Sequence, residues 1–301
     1  MSLNPGDSAD GASHAMMDSQ SITRLGGASE RHFDYFSDFH DLDQATASKE
    51  AVRFLDALNT SQQVQEMQQL THRMLGVAPG QRILDAGCGV GDVTRDLATL
   101  VGPHGHVVGV DLSEALLAEA RARTRGTGLS VEYRKGDLHT LDFPSESFDR
   151  CRSSRVFIYL DDPRKALSEL LRLTRPGGAV VIFEPEFDTW ALDGPDRGVV
   201  RALIHFWTDQ LRNPWIGRQL PRMFHSLGVH QVAMRPVVGT WVPGMLEAFG
   251  MYPVLEKAIA EKVVTREQVD ARLQFIKEGE RNDSFYGCMA GMVVRGIKPG
   301  P

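Results

Sequence analysis

Residues 83 to 94 read Ile83-Leu84-Asp85-Ala86-Gly87-Cys88-Gly89-Val90-Gly91-Asp92-Val93-Thr94. A short apolar run closes on Asp85, three glycines follow at alternate positions, and an amphipathic stretch begins. The pattern predicts a strand, a tight turn and a helix start. Glycines let the backbone fold sharply there and leave no side chain between turn and ligand, while the free N–H groups of the helix's first turn face the same space. A polar ligand of nucleoside size is expected to dock at this turn. A dinucleotide loop would require Gly-x-Gly-x-x-Gly, but its third glycine position holds Asp92, and Gly91 comes one residue early. Asp85 would also repel a pyrophosphate and attract an ammonium group.

Downstream, Val107-Val108-Gly109-Val110-Asp111 is a second apolar run ending in an acid, the position that binds ribose hydroxyls in doubly wound folds. A third strand, Val131 to Lys135, leads into Gly136-Asp137-Leu138. There the acid can accept from an exocyclic amine while the following backbone N–H donates to a ring nitrogen, a pair that would read adenine. Taken singly, each acid is explained by a turn or a helix cap. Three acids at the carboxyl ends of successive strands, on one edge of a sheet, ask for more than capping.

On these residues the chain resembles the class I S-adenosylmethionine-dependent methyltransferases over roughly residues 62 to 186. The resemblance implies that Asp85, Gly87, Gly89 and Gly91 hold the methionine part of that cofactor. It implies Asp111 at the ribose with Leu112 against the ring, Asp137 with Leu138 at adenine, and a backbone carbonyl near Ser153 for the amine. The run Arg155-Val156-Phe157-Ile158-Tyr159-Leu160-Asp161-Asp162-Pro163 is similar to small-molecule methyltransferases of the ubiquinone/menaquinone-biosynthesis type, which often carry His where this chain has Tyr159. The fold so implied is α/β, a doubly wound, mostly parallel seven-stranded sheet of Rossmann-like methyltransferase type. Its last strand is antiparallel, with a helical N-terminal lid and a helical insertion after the fifth strand.

Alternating strand and helix patterns through the middle of the chain independently point to a parallel sheet with helices on both faces. The expected division is a disordered segment over 1–30, a helical cover over 31–78, the cofactor-binding core over 79–187, a substrate-side helical insertion with one core strand over 188–283, and a final strand and tail over 284–301. Ser113 and Asp162-Pro163 read as helix starts, and Thr265 with Gln268 as a capping box for a helix whose core face is Val269, Leu273 and Ile276.

The 301 residues, 42% hydrophobic and 24% charged, suit one generous domain or a core with an elaboration. A formal net charge of −6 argues against nucleic acid as a partner. Cys88, Cys151 and Cys288 have no metal-ligand spacing and no disulfide framework, so no metal is expected and a reducing cytoplasm is the expected home. No apolar run is long enough to span a bilayer, so no membrane association is expected, and a homo-oligomer is left open.

Methyl transfer from a sulfonium is an in-line displacement, which asks chiefly for alignment and for exclusion of water. Two aromatic groups suit a flat or apolar small molecule: Phe33, Tyr35, Phe36, Phe39 and His40, and Trp190, His205, Phe206 and Trp207. The expected substrate contacts are Tyr35, Phe36, Phe39, Arg155, Glu186, Trp190 and His205. Glu184, Tyr159 and His40 are the candidate catalytic residues, with a buried ion pair from Glu184 to Arg155 or Arg152 an equal reading. The expected activity is methylation of O, N or C on a small aromatic or apolar metabolite of specialised or cofactor biosynthesis. An adenosyl-binding protein without methyl transfer and an NAD-dependent oxidoreductase stand as alternatives.

Overall fold

The computed structural model describes residues 45–300. Residues 1–44 fall outside it, and with them the expectations for the segment 1–30 and for Phe33, Tyr35, Phe36, Phe39 and His40. Helices α1 (Ala45–Thr60) and α2 (Gln62–Leu75) precede the first strand, and α2 ends on Gly76 in the left-handed conformation. Then come β1 (Arg82–Ala86), α3 (Asp92–Val101), β2 (His106–Asp111), α4 (Glu114–Thr124), β3 (Val131–Lys135), β4 (Phe148–Ser154), α5 (Pro163–Leu173) and β5 (Thr174–Pro185). The sheet continues with β6 (Ala191–Leu192), β7 (Val232–Thr240) and β8 (Gly287–Ile297).

Strands β3, β2, β1, β4 and β5 lie side by side and parallel, and β8 joins β5 antiparallel. On its other edge β8 pairs with β7 over nine residue positions. The sheet has eight strands rather than the expected seven. The additional one is the two-residue β6, which pairs with Gly287 and Cys288 of β8 just beyond the turn that follows β5. It is in effect β5 resumed after an interruption at Phe187–Thr189.

Because side chains alternate across a strand, each central strand buries both faces, as parallel sheets do. Ile83, Val107, Val181 and Val293 meet Met67 and Leu75 of α2 and Leu97 of α3. Leu84, Val108, Val180 and Val294 meet Leu167 and Leu170 of α5 and, on α7 (Ile216–Ser226), Leu220 and Phe224. The insertion adds α6 (Arg197–Thr208) before α7, and α8 (Met245–Ala248), α9 (Met251–Ala260) and α10 (Arg266–Arg281) between β7 and β8. Val199 of α6, Leu255 and Ala258 of α9 and Val269 of α10 form a satellite core.

The local signals act as expected. Ser113 accepts from the Leu116 N–H and Asp162 from the Lys165 N–H, and both arms of the Thr265–Gln268 capping box are present. Val269 and Ile276 are buried, and Leu273 packs half-buried beside them. No helix among the described residues is long and apolar enough to cross a membrane.

Candidate functional site

The carboxyl ends of β1, β2, β3 and β4 open on a cavity of about 320 Å³. Its floor is the glycine turn, where Gly87, Gly89 and Gly91 have φ of 78°, 53° and 77°. Their reasons for being glycine differ. A Cβ on Gly87 would overlap the Val156 Cγ2 methyl, and one on Gly91 would lie 2.8 Å from Cζ of Tyr133. Those two glycines let the turn pack against the protein's own β4 exit and β3. Only at Gly89 is the nearest atom, Cδ1 of Leu55 on α1, at an ordinary 3.4 Å.

Asp111, Asp137, Leu112 and Leu138 all border this cavity. Asp111 accepts from the Gly89 N–H at 2.8 Å and the Ser113 N–H at 3.0 Å. Burial nonetheless holds its carboxyl above the usual range. Asp137 is exposed, and its Oδ1 accepts from the His139 N–H at 2.9 Å. Burial raises its pKa, but the hydrogen bonds from His139 more than offset this, so the carboxyl sits below its ordinary value. Leu112 is 59% exposed where a ring could cover it, whereas Leu138 is buried.

Asp85 borders the same cavity but not as an open carboxylate. Its Oδ1 accepts from Arg152 Nη1 at 2.5 Å and its Oδ2 from the Thr94 hydroxyl at 2.7 Å. The simple expectation of a free acid waiting for an ammonium is corrected accordingly. Ser153 is buried within β4, and its neighbours Arg152 and Ser154 line the space. Helix α1 roofs the cavity with Phe54, Leu55, Leu58 and Asn59, which sequence reasoning did not single out. Its only sequence signal is an amphipathic helix just ahead of the first strand.

A second cavity, about 170 Å³ and chiefly apolar, shares Phe54, Leu58 and Arg155 with the first. Its walls are α1, α2 and the facing residues Val237–Thr240 of β7 and Met289 and Gly291 of β8. Trp190 borders it, packed on Trp207 (5.7 Å between ring centroids) and Trp241 (6.0 Å), and its buried Nε1 has no hydrogen-bond partner among the described residues. Arg155 sits where the cavities meet, with φ of 61°. A left-handed arginine is strained, and such strain concentrates at functional positions. Tyr159 borders the first cavity only.

Three expected site residues lie elsewhere. Glu184 is fully buried, with Oε1 accepting from the Val156 N–H at 2.9 Å and the Phe157 N–H at 2.8 Å. It borders neither cavity and holds the turn after β4. Burial, only partly offset by those amides, pushes its pKa up to about 7. Glu186 is also buried, receiving the Arg218 N–H at 2.6 Å and Arg218 Nε, so it clamps the start of α7 and is no substrate contact. His205 is exposed on α6 while Trp207, two residues on, is core. Helical spacing keeps the two off one face.

The methyltransferase-domain family profile matches residues 84–182. A demethylmenaquinone methyltransferase of Bacillus cytotoxicus is 30% identical over 182 residues, covering 55% of this chain and 77% of the relative. The chain belongs to the class I S-adenosylmethionine-dependent methyltransferases. The chain is also 36% identical over 197 residues to an uncharacterized 37.1 kDa protein in a transposon of Streptomyces fradiae, covering 65% of this chain and 57% of that one. The chain spans about half the length of such curated relatives. A solved Bacillus halodurans protein superposes with a TM-score of 0.58 at 18% identity, covering 77% of this chain and all but 1% of its own, and thus shares the fold.

The residues present fit the family's cofactor. A left-handed glycine cradle, carboxylates at the ends of β2 and β3 for a diol and a purine amine, and a buried guanidinium with unsatisfied donors complement an adenosyl amino acid.

Proposed function

We propose that the protein transfers a methyl group from S-adenosylmethionine to a small, largely apolar acceptor of aromatic character, held between α1 and the β7–β8 edge. The observation that carries this reading is the apolar second cavity, which meets the first at Phe54, Leu58 and Arg155. A methyl acceptor must approach the donor in line from outside the donor's own pocket, and this is the adjoining space. The Bacillus relative is a demethylmenaquinone methyltransferase, and a ring of that kind suits an apolar slot.

When bound, S-adenosylmethionine supplies an electrophilic methyl group on a sulfonium. In this reading Gly87, Gly89 and Gly91 with the carbonyl near Ser153 cradle the methionine end, Asp111 and Leu112 the ribose, and Asp137 and Leu138 the adenine. Phe54, Leu58 and Phe249 exclude water from the acceptor, and Arg155 and the Trp190 N–H orient its polar atom. Glu184 and Glu186 are engaged with backbone and Arg218, which leaves Tyr159 as the described candidate for handling a proton. An acceptor carbon or neutral amine asks mainly for alignment, and a hydroxyl would ask for a base. Two buried free thiols, Cys88 and Cys151, suit a reducing compartment.

The test is incubation with methyl-labelled S-adenosylmethionine and a panel of quinols, phenols, indoles and aliphatic amines. The reading expects labelled product from aromatic members and loss of that product in Trp190→Ala. Binding of S-adenosylhomocysteine with no product from any aromatic acceptor would instead support adenosyl binding without methyl transfer.

A further inference from the structure

The pairing of Asp85 leaves a charge pattern at the β1–β4 end of the cavity that the sequence did not suggest. Asp85 and Arg152 are direct neighbours in the register of β1 and β4, so both side chains rise from the same face of the sheet. Their ion pair is formally neutral, and both Asp85 oxygens are occupied. Arg152 is 3% exposed and borders the cavity, yet its Nε and Nη2 have no hydrogen-bond partner among the described residues. Buried guanidinium N–H groups left without acceptors are costly, so their persistence points to an acceptor that arrives with a ligand. Nε–H and Nη2–H lie on one edge of the planar guanidinium and match the two oxygens of a carboxylate. The edge turned to Asp85 uses Nη1 alone.

The other charged groups nearby do not compete for that role. His72, near enough to feel the charge of Arg152, is held down to about 4 by burial and by that charge, so at neutral pH it adds no cation. Lys135 ends β3 beside Asp137, on the purine side, and Arg155 stands at the junction of the cavities with Nη2 3.4 Å from the Asn59 side chain. Asp92 accepts from Asn59 at 2.6 Å and pairs with Arg95.

We propose that Arg152 binds the carboxylate of the cofactor's amino-acid tail through Nε and Nη2, with Asp85 acting as the positioning residue that fixes the guanidinium. The proposal rests on the adenosyl reading of the cavity and reverses the polarity that the sequence suggests for this end. The acid of the glycine turn orients a cation, and the cation meets the ligand.

Calorimetric titration of the purified protein with S-adenosylhomocysteine and with its decarboxylated analogue, which keeps the amine and the nucleoside, isolates the carboxylate. The wild type is expected to prefer S-adenosylhomocysteine by roughly 10- to 100-fold, the range of a charge-assisted pair. Arg152→Met should abolish that preference while leaving affinity for the decarboxylated analogue within about threefold. Because that substitution strands Asp85, a second variant, Asp85→Asn with Arg152→Met, removes both charges and keeps the site neutral. It should melt near the wild type and show the same lost preference. Lys135→Met should keep the preference. The proposal is overturned if Arg152→Met retains the wild-type preference, weakens both compounds equally, or if Lys135→Met removes the preference instead. A wild type that binds the decarboxylated analogue as well as S-adenosylhomocysteine overturns it with the adenosyl reading intact, whereas binding of neither compound removes that reading and this proposal together.

Discussion

Replacing Gly87 by alanine separates what the glycine turn does for the fold from what it does for a ligand. At φ of 78° a side chain enters the left-handed region, at a cost of about 1–2 kcal/mol. The new Cβ would also overlap Cγ2 of Val156 and lie 3.2 Å from its Cβ and Cγ1. Val156 opens the turn that Glu184 holds by its backbone N–H, so it cannot move freely away. Overpacking of that kind costs about 1–3 kcal/mol, and Gly87→Ala should therefore lose about 2–5 kcal/mol in all. Val156→Ala removes the obstructing methyls, and the double variant should recover the steric share but not the backbone share. Urea unfolding followed by circular dichroism measures all four corners of this cycle. Gly89→Ala is the contrast, since its Cβ meets only the mobile end of Leu55. It should keep most of the stability yet weaken S-adenosylhomocysteine, because there the added methyl faces the cavity. A loss under about 1 kcal/mol for Gly87→Ala, or no coupling to Val156, would refute the reasoning.

The Glu184 carboxyl titrates near 7 in the folded chain against an ordinary 4.5, so its proton stabilises the fold fully below about 4.5 and that contribution is lost as pH rises through 7. The span is worth about 3 kcal/mol, and Glu184→Gln should flatten the corresponding part of a urea-midpoint profile between pH 5 and 8; parallel profiles would show that the proton is not held there. Glu186→Ala should lower stability by about 2 kcal/mol rather than more, because the Arg218 side chain is 40% exposed and can turn to water. Affinity for S-adenosylhomocysteine should survive, and a selective collapse of binding at unchanged melting temperature would return Glu186 to the site. Asp111→Ala should weaken S-adenosylhomocysteine at least about tenfold by calorimetry, since it removes the acceptor proposed for the ribose; unchanged affinity would place the sugar elsewhere.

What the sequence conveyed was local or periodic. Apolar runs ending in Asp85 and Asp111, and caps such as Ser113 and Thr265, are decided within a few residues, and these appear as read. The two-residue β6 escaped because it is defined by its partners Gly287 and Cys288 on β8, nearly a hundred residues away. The second cavity escaped for the same reason. Its walls come from α1 and α2, from β7 and from β8, and no single stretch carries their meeting.

The acids show where a chemical signal was present and pointed the wrong way. Glu184 and Glu186 stand at the carboxyl end of a buried strand, where a doubly wound sheet binds its ligands, so position alone nominates them for chemistry. Position does not count acceptors already spent. Glu184 serves the amides of Val156 and Phe157, and Glu186 serves Arg218, because a chain leaving a sheet edge exposes N–H groups that must be met. Asp85 is the converse case, for its partner is set by strand register and not by anything near it in the sequence. Arg152 lies in the buried stretch 151–153 of β4, and a guanidinium buried there is tolerable only beside an acid. Placing β4 next to β1, as this strand order requires, leaves Asp85 as that acid at the matching level. Once the pair is made, Arg152 holds two buried N–H donors beside the cavity that still lack an acceptor among the described residues, next to the equally unpartnered hydroxyl of Ser154. The chemistry of the site is therefore set less by the acid the glycine turn displays than by the cation that acid holds in place.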